Sequence, residues 1–371
     1  MFTSDDSRAP TLADRLRERI SLAGPMTFHD WMQAALYDER EGYYCRRGRI
    51  RQGRGGDYRT APETSPVFAA TFAHYFMKCY FDLGAPQRWT IVEVGAGRGD
   101  FALGVLTSLQ TSFPNVFAAT NYVIDELSDE AREQAEAKLS QFKDRVTFHS
   151  LAEINGAFSP AIIFSNELLD AFAVHRVIGR GGMLRELRVS VNESGNFVWL
   201  ESDLERRVAD YCERIQLQLS EGQIHEVNLE AEAFVARASS LIKQGCLITV
   251  DYGAERNDLL RDPNRFSGTL RSFRRHRISE DVLSQPGEQD LTTTVDWTQV
   301  QEAGARNGFE TLRFQQLDQF LLIEDALEQI MSVSDRLTDQ VELFNFNAAA
   351  REMIMPDGMA AHFQVLVQRK V

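Results

Sequence analysis

The stretch IVEVGAGRGDF, Ile91 to Phe101, governs how the rest of the chain is read. A compact apolar run, Trp89 to Val94, carries one acid, Glu93, near its end. It then turns through Gly95, Gly97 and Gly99 into a segment with Phe101, Val105 and Leu109 on one helical face. A strand, a glycine loop and an amphipathic helix in that order form the opening unit of a nucleotide-type fold. The glycines let backbone amides approach a ligand at a helix N-terminus. A dinucleotide loop of G-x-G-x-x-G spacing would need glycine at position 100, where this chain has Asp100.

Downstream, the alternation continues. Tyr122 to Ile124 reads as a second strand, followed by a helix from about Ser128 with Ala131, Ala135 and Leu139 aligned. Val146 to Phe148, Ala161 to Phe164 and Leu247 to Val250 supply three more strands. Strand alternating with helix predicts an α/β fold with a doubly wound, mostly parallel sheet. Phe309 to Leu317 and His362 to Val367 are strand-like runs expected to form an antiparallel C-terminal edge.

Upstream, two short amphipathic helices lead. The first has Leu12, Leu16 and Ile20 on one face, a T-x-x-D start at Thr11 and a Gly24-Pro25 stop. The second starts at Thr27, with Trp31, Met32, Ala35 and Leu36 apolar, and is expected to end at Gly42-Tyr43-Tyr44. Periodicity is lost from Cys45 to Pro66, a loop or lid that includes GGDYRTAPE (Gly55 to Glu63), and helical pattern resumes from Val67 to Tyr80. The expected organisation is therefore an N-terminal part, 1–66, and a main domain, 67–371. Insertions at about 175–244 and 254–296 interrupt the main domain, the first opening with a hairpin that turns at Gly181-Gly182.

The bulk numbers narrow the function classes. The chain has 371 residues with 43% hydrophobic content, enough for a large core. No apolar run exceeds four residues, which excludes a bilayer-spanning helix, and MFTSDDSRAP shows neither a secretory nor an organellar pattern, so the expectation is a cytoplasmic protein. A net charge of −14 argues against nucleic acid and favours cationic partners. Cys45, Cys79, Cys212 and Cys246 form no CxxC, so reduced thiols and no metal site are expected. FAATFAHYFMKCYF, Phe68 to Phe81, is either core or the face of a homodimer.

The spacing G-x-G-x-G, with an acid two residues before the first glycine, resembles motif I of class I methyltransferases that use S-adenosylmethionine. The resemblance implies that Glu93, Gly95, Ala96, Gly97 and Gly99 hold the methionine part of that cofactor. A carboxylate at the end of the next strand should take the ribose hydroxyls, and NYVIDELSDEA offers Asp125 and Glu126, with Glu126 preferred. By itself an acidic pair before a helix needs no ligand, since the macrodipole favours it; beside the glycine loop it becomes a cofactor candidate.

IIFSNELLDAFAV, Ile162 to Val174, ends a strand in Asn166-Glu167 with Asp170 one turn further. An amide with two carboxylates can hydrogen-bond an amino or guanidino group and share its charge. Together with GGDYRTAPE, HDWMQAALYDEREGYY (His29 to Tyr44), EVNLEAEAF (Glu226 to Phe234), ITVDYG (Ile248 to Gly253), GTLRSFRRH (Gly268 to His276) and PGEQDLTTTVDW (Pro286 to Trp297), this resembles the complex I assembly-factor methyltransferases, also called the mitochondrial dysfunction protein A family, nearly end to end. What the resemblance implies is a Rossmann-like methyltransferase that uses S-adenosylmethionine to modify a protein arginine, on a respiratory complex I type subunit or another cytoplasmic protein. Asn166, Glu167 and Asp170 would line the reaction centre, with Asn166 also near the cofactor, and Asp57 on the lid would add a carboxylate. Asp251-Tyr252 is read as another wall of the site or as packing. Tyr58, where the family usually has Phe, and the stretches Gly358 to Gln364 and Phe320 to Ile330 depart from the family pattern. Alternative readings are a small-molecule methyltransferase on the same fold and an assembly factor that binds the cofactor without turnover.

Overall fold

In a computed structural model, residues 9–48, 66–274, 277–279, 281–335 and 338–371 are described. The segment GGDYRTAPE, with Asp57 and Tyr58, lies outside them. The chain divides into two compact units, one of residues 50–171, 231–259 and 294–371 and the other of 1–49, 172–230 and 260–293.

The larger unit is built on a seven-stranded sheet: β1 (Trp89–Val94), β2 (Thr120–Asp125), β3 (Val146–Phe148), β4 (Ala161–Asn166), β5 (Gly245–Asp251), β6 (Glu310–Gln316) and β7 (Gln364–Lys370). Their order across the sheet is β6-β7-β5-β4-β1-β2-β3. Strands β1 to β5 pair in parallel, and β7 runs antiparallel to both β5 and β6. The two late runs thus form the antiparallel margin, with β7 inside and β6 outermost. Strands β1 and β5 are buried at every position, the mark of a parallel sheet covered on both faces, and their apolar runs follow from it.

Helix α1 (Pro66–Asp82) and helix α2 (Asp100–Ser112) pack on one face, where the rings of Phe101 and Phe164 stack 4.2 Å apart and Phe68, Phe72 and Phe76 join the same cluster. The aromatic stretch of α1 is therefore core from Phe68 to Tyr80, while Phe81 is exposed. Gly104 allows the close approach of the two helices, because a Cβ there would stand 2.4 Å from that of Ala69. Helix α3 (Asp129–Lys138) starts from Ser128, whose hydroxyl accepts the Ala131 amide at 3.4 Å.

The smaller unit gathers the N-terminal helices with most of both expected insertions. Helix Leu12–Ala23 opens with the expected capping box between Thr11 and Asp14. Helix Phe28–Tyr37 buries Trp31, Met32, Ala35 and Leu36 but stops at Tyr37, short of Gly42-Tyr44. The turn at 38–42 ends it, and there a Cβ on Gly42 would stand 2.4 Å from the Asp38 nitrogen. The expected hairpin is present as His175–Arg180 and Met183–Val191, with Gly181 and Gly182 both at positive φ. Arg176 and Glu226 meet at 3.1 Å in the interior, and the other Glu226 oxygen accepts the Thr269 amide at 2.7 Å. That contact binds three distant segments of sequence into one unit. Residues 231–244 and 254–259, expected within the insertions, group instead with the larger unit, where helix α4 (Leu229–Leu241) leads into β5.

Candidate active site

The expected site residues that the structure describes lie at or just beyond the carboxyl ends of β1, β2 and β4, with Asp251 and Tyr252 at that of β5, where parallel α/β sheets place ligands. In the loop after β1, Gly95, Gly97 and Gly99 all have positive φ, a conformation that side chains resist. A Cβ on Gly95 would reach 3.0 Å from Leu168, and one on Gly99 would reach 3.0 Å from the Ala135 Cβ. The glycines are needed for this shape. Their amides do not form an empty anion cradle: Gly95 donates to the Asp125 carbonyl (2.8 Å), Gly97 to Glu126 Oε2 (2.8 Å) and Gly99 to the Ala96 carbonyl (3.0 Å). The loop is tied to the end of β2, an arrangement suited to a ligand without phosphates. Asp100, at the position a dinucleotide loop would give to glycine, accepts from Lys138 Nζ at 2.6 Å.

The two acids after β2 are held differently. Glu126 bridges the Gly97 amide and the Ser128 amide, each at 2.8 Å, which places its carboxylate against the glycine loop. Asp125 Oδ2 instead accepts the Leu151 amide at 2.8 Å, toward the segment after β3, and burial raises its pKa. Glu93 is buried, with Tyr122 donating to Oε2 at 2.7 Å; burial, with Glu126 and Asp100 adding, pushes its pKa up to about 8. Tyr122 is a partner that the sequence reading missed, because the register that sets it opposite Ile91 belongs to the assembled sheet.

At the end of β4, Asn166 Nδ2 donates to Glu167 Oε1 at 3.1 Å, and Glu167 itself has φ +50, an uncommon conformation for a residue with a side chain. Asn166 Oδ1 is buried without a hydrogen-bond partner among the described residues. A buried acceptor in that state costs free energy unless a donor arrives, so the site fits an amino-bearing ligand such as the methionine part of the cofactor. Asp170 Oδ2 accepts the Tyr252 hydroxyl at 2.5 Å. Asp251, fully buried at the end of β5, accepts the Leu169 amide (2.9 Å), the Asp170 amide (3.3 Å) and the Tyr252 amide (2.8 Å). Burial and the neighbouring Asp170 and Glu167 carboxylates raise the Asp251 pKa well above the usual range. Asp251 thus fixes the backbone that carries Asp170, a structural task that its place at the end of an apolar strand did not disclose.

In the smaller unit, ligand-type atoms of His175, Glu186 and Glu205 lie within 4.8 Å of one another. His175 Nδ1 stands 2.8 Å from Glu186 Oε1, and the other Glu186 oxygen accepts from the Glu205 amide (3.0 Å) and Arg188 (3.3 Å), contacts that satisfy this carboxylate without an ion.

Residues 71–315 match the family described as "Putative S-adenosyl-L-methionine-dependent methyltransferase". The chain belongs to this family. It is a methyltransferase that uses S-adenosylmethionine. The Drosophila melanogaster protein named protein arginine methyltransferase NDUFAF7 homolog, mitochondrial, is 25% identical over 80% of this chain and 71% of that protein. The human protein arginine methyltransferase NDUFAF7, mitochondrial, is 26% identical over 76% and 66%. A Burkholderia thailandensis protein solved bound to S-adenosyl-homocysteine is 28% identical and superposes with a TM-score of 0.84 over 97% of this chain and 92% of that one. Family membership and that structure agree with the glycine-loop geometry in making S-adenosylmethionine the cofactor.

Proposed function

We propose that the methyl acceptor is an arginine of a cytoplasmic partner protein, in keeping with the resemblance to assembly-factor enzymes acting on a respiratory complex I type subunit. The observation that carries this reading is the acidic grouping at the ends of β4 and β5. Asp251 has its pKa raised partly by Asp170 and Glu167, so a cation held there relieves mutual repulsion. A guanidinium is such a cation, and its planar donor fork matches carboxylates and an amide oxygen. The names of the Drosophila and human relatives support the same acceptor.

In this reading, Glu126 holds the ribose and Glu93 faces the methionine ammonium. Bound there, the cofactor supplies a methyl group already activated on a sulfonium sulfur. Glu167 and Asp170 hold the guanidinium, concentrate its charge away from the attacking nitrogen and receive the proton that nitrogen loses. Asn166 Oδ1 accepts a hydrogen bond from a donor at the junction of cofactor and acceptor. Tyr252 keeps Asp170 oriented through its 2.5 Å hydrogen bond. No covalent enzyme intermediate is needed; positioning and exclusion of water account for the catalysis. Incubation with methyl-labelled cofactor and host lysate should place label on a protein as methylarginine, and Glu167→Ala should abolish it while cofactor affinity measured by calorimetry stays within about threefold. Label found only in small metabolites would replace this reading with small-molecule methylation, and cofactor binding with no transfer would leave an assembly factor.

A further inference from the structure

Among the described residues, the connection between β6 and β7, residues 317–363, is a helical excursion that holds three α-helices, Leu317–Ile323, Ala326–Ser334 and Gln340–Ile354, and a short 3-10 helix, Met359–His362. Strand β6 runs with β1 to β5 and β7 against them, so both ends of this excursion lie at the carboxyl end of the sheet. Leu317 donates its amide to the Phe363 carbonyl at 2.9 Å, and the Phe363 ring meets Tyr252 edge-on at 5.7 Å. Tyr252 is the residue that bonds Asp170. The excursion therefore starts and finishes beside the proposed reaction centre.

Its inward residues, Phe320, Leu321, Ala326, Phe346, Ala350 and Met353, join the main core. A helix that has buried one apolar stripe ordinarily shows a polar face outward. Here large apolar side chains stand among the exposed acids on the outward side. Ile323 ends the first helix, Leu327 and Met331 stand at i, i+4 on the second, Val341 and Phe344 at i, i+3 on the third, and these five are 53–74% exposed. With Leu322 and Met355, the excursion holds seven of the fifteen large hydrophobic residues exposed among the described residues. Such a concentration marks an interaction surface more readily than scattered exposed side chains do.

The charge around it selects the partner. Residues 317–363 contain nine Asp and Glu against Arg336 and Arg351, half of the chain's net −14. Glu324 is buried and answered by Lys78 (2.9 Å) and Arg313 (2.5 Å), whereas Glu328, Asp335, Asp339 and Glu342 are exposed. A second copy of this chain would bring the same acids against these, which is unfavourable. A segment with an apolar face flanked by arginine and lysine complements both features. We propose that the outer face of this excursion docks a basic, apolar segment of the protein acceptor and so delivers its arginine to the ends of β4 and β5. The proposal rests on the protein-arginine reading above for the identity of the partner.

The test uses the full chain and a synthetic amphipathic helix with leucines on one face and arginine and lysine on the other. A control peptide has the same leucine face and glutamates in place of the basic residues. The basic peptide should bind, more weakly at high salt, and the control should not. Met331→Ser/Phe344→Ser and, independently, Glu328→Lys/Glu342→Lys should each weaken binding by about tenfold or more, with cofactor affinity and melting temperature close to the unmodified chain. Undiminished binding in both variants, or equal binding of the acidic control, would overturn the proposal. So would self-association of the unmodified chain that the Ser variant loses while peptide binding persists, since a second copy then occupies the face. Peptide binding that follows the variants without any methylarginine, on peptide or in lysate, would overturn the arginine reading and leave the docking surface standing.

Discussion

Glu93→Gln isolates the electrostatic load at the cofactor loop. Glu93 is buried with its pKa pushed from 4.5 to about 8, chiefly by burial, with Tyr122 as its hydrogen-bond donor. Because the folded pKa is raised, the native state holds the proton more tightly than the unfolded chain does. The stability this confers is complete below pH 4.5 and is lost as pH rises through about 8. Each pK unit corresponds to about 1.4 kcal/mol, so the full span approaches about 5 kcal/mol, of which about 2.5 kcal/mol falls between about pH 6 and about pH 9. A glutamine at this position does not titrate, and its carbonyl still accepts from Tyr122. Denaturant unfolding of the ligand-free protein at those two pH values should therefore show the unmodified chain losing about 2.5 kcal/mol more than Glu93→Gln on going to the higher pH. Parallel loss in the two proteins would refute the claim that Glu93 is buried and protonated near neutrality, and with it the packing of the end of β1.

The two acids after β2 should separate by assay. Glu126→Ala should weaken cofactor binding by about tenfold or more in calorimetry and Asp125→Ala should change it much less, while each costs on the order of 1 kcal/mol or more of stability through the backbone amides it strands, those of Gly97 and Ser128 for Glu126 and that of Leu151 for Asp125; the larger affinity loss in Asp125→Ala would move the ribose to Asp125. Tyr252→Phe removes the 2.5 Å hydrogen bond to Asp170 while leaving the ring against Phe363, so kcat should fall by about tenfold or more at unchanged cofactor affinity and melting temperature. Equal loss of stability and turnover would make Tyr252 a packing residue.

By itself the sequence determined the local units: the strand Trp89–Val94 and its positive-φ glycine loop, the Ser128 cap of α3, the hairpin at Gly181-Gly182, the capping box at Thr11 and the five parallel strands. Each is set by residues close together in the chain, through alternation, helical spacing and turn chemistry. The family resemblance added the cofactor, because a loop without the third dinucleotide glycine excludes one ligand class and the matching motifs name another. Tertiary structure decided what depends on residues far apart in sequence. Asp125 and Glu126 are adjacent and chemically alike, and only the placement of Leu151 and Gly97 around them turns one toward the sheet's flank and the other toward the loop. The buried partnership of Glu93 with Tyr122, the anchoring of the Asp170 backbone by Asp251 and the meeting of Arg176 with Glu226 likewise span tens of residues. The helices after β6 were not read from the sequence, and the large apolar side chains on their outward side stand out only once the core has claimed the inward ones. Local pattern fixes which segments form, whereas burial and partner choice are properties of the packed chain, where a group's cost or benefit depends on what the rest of the molecule brings against it.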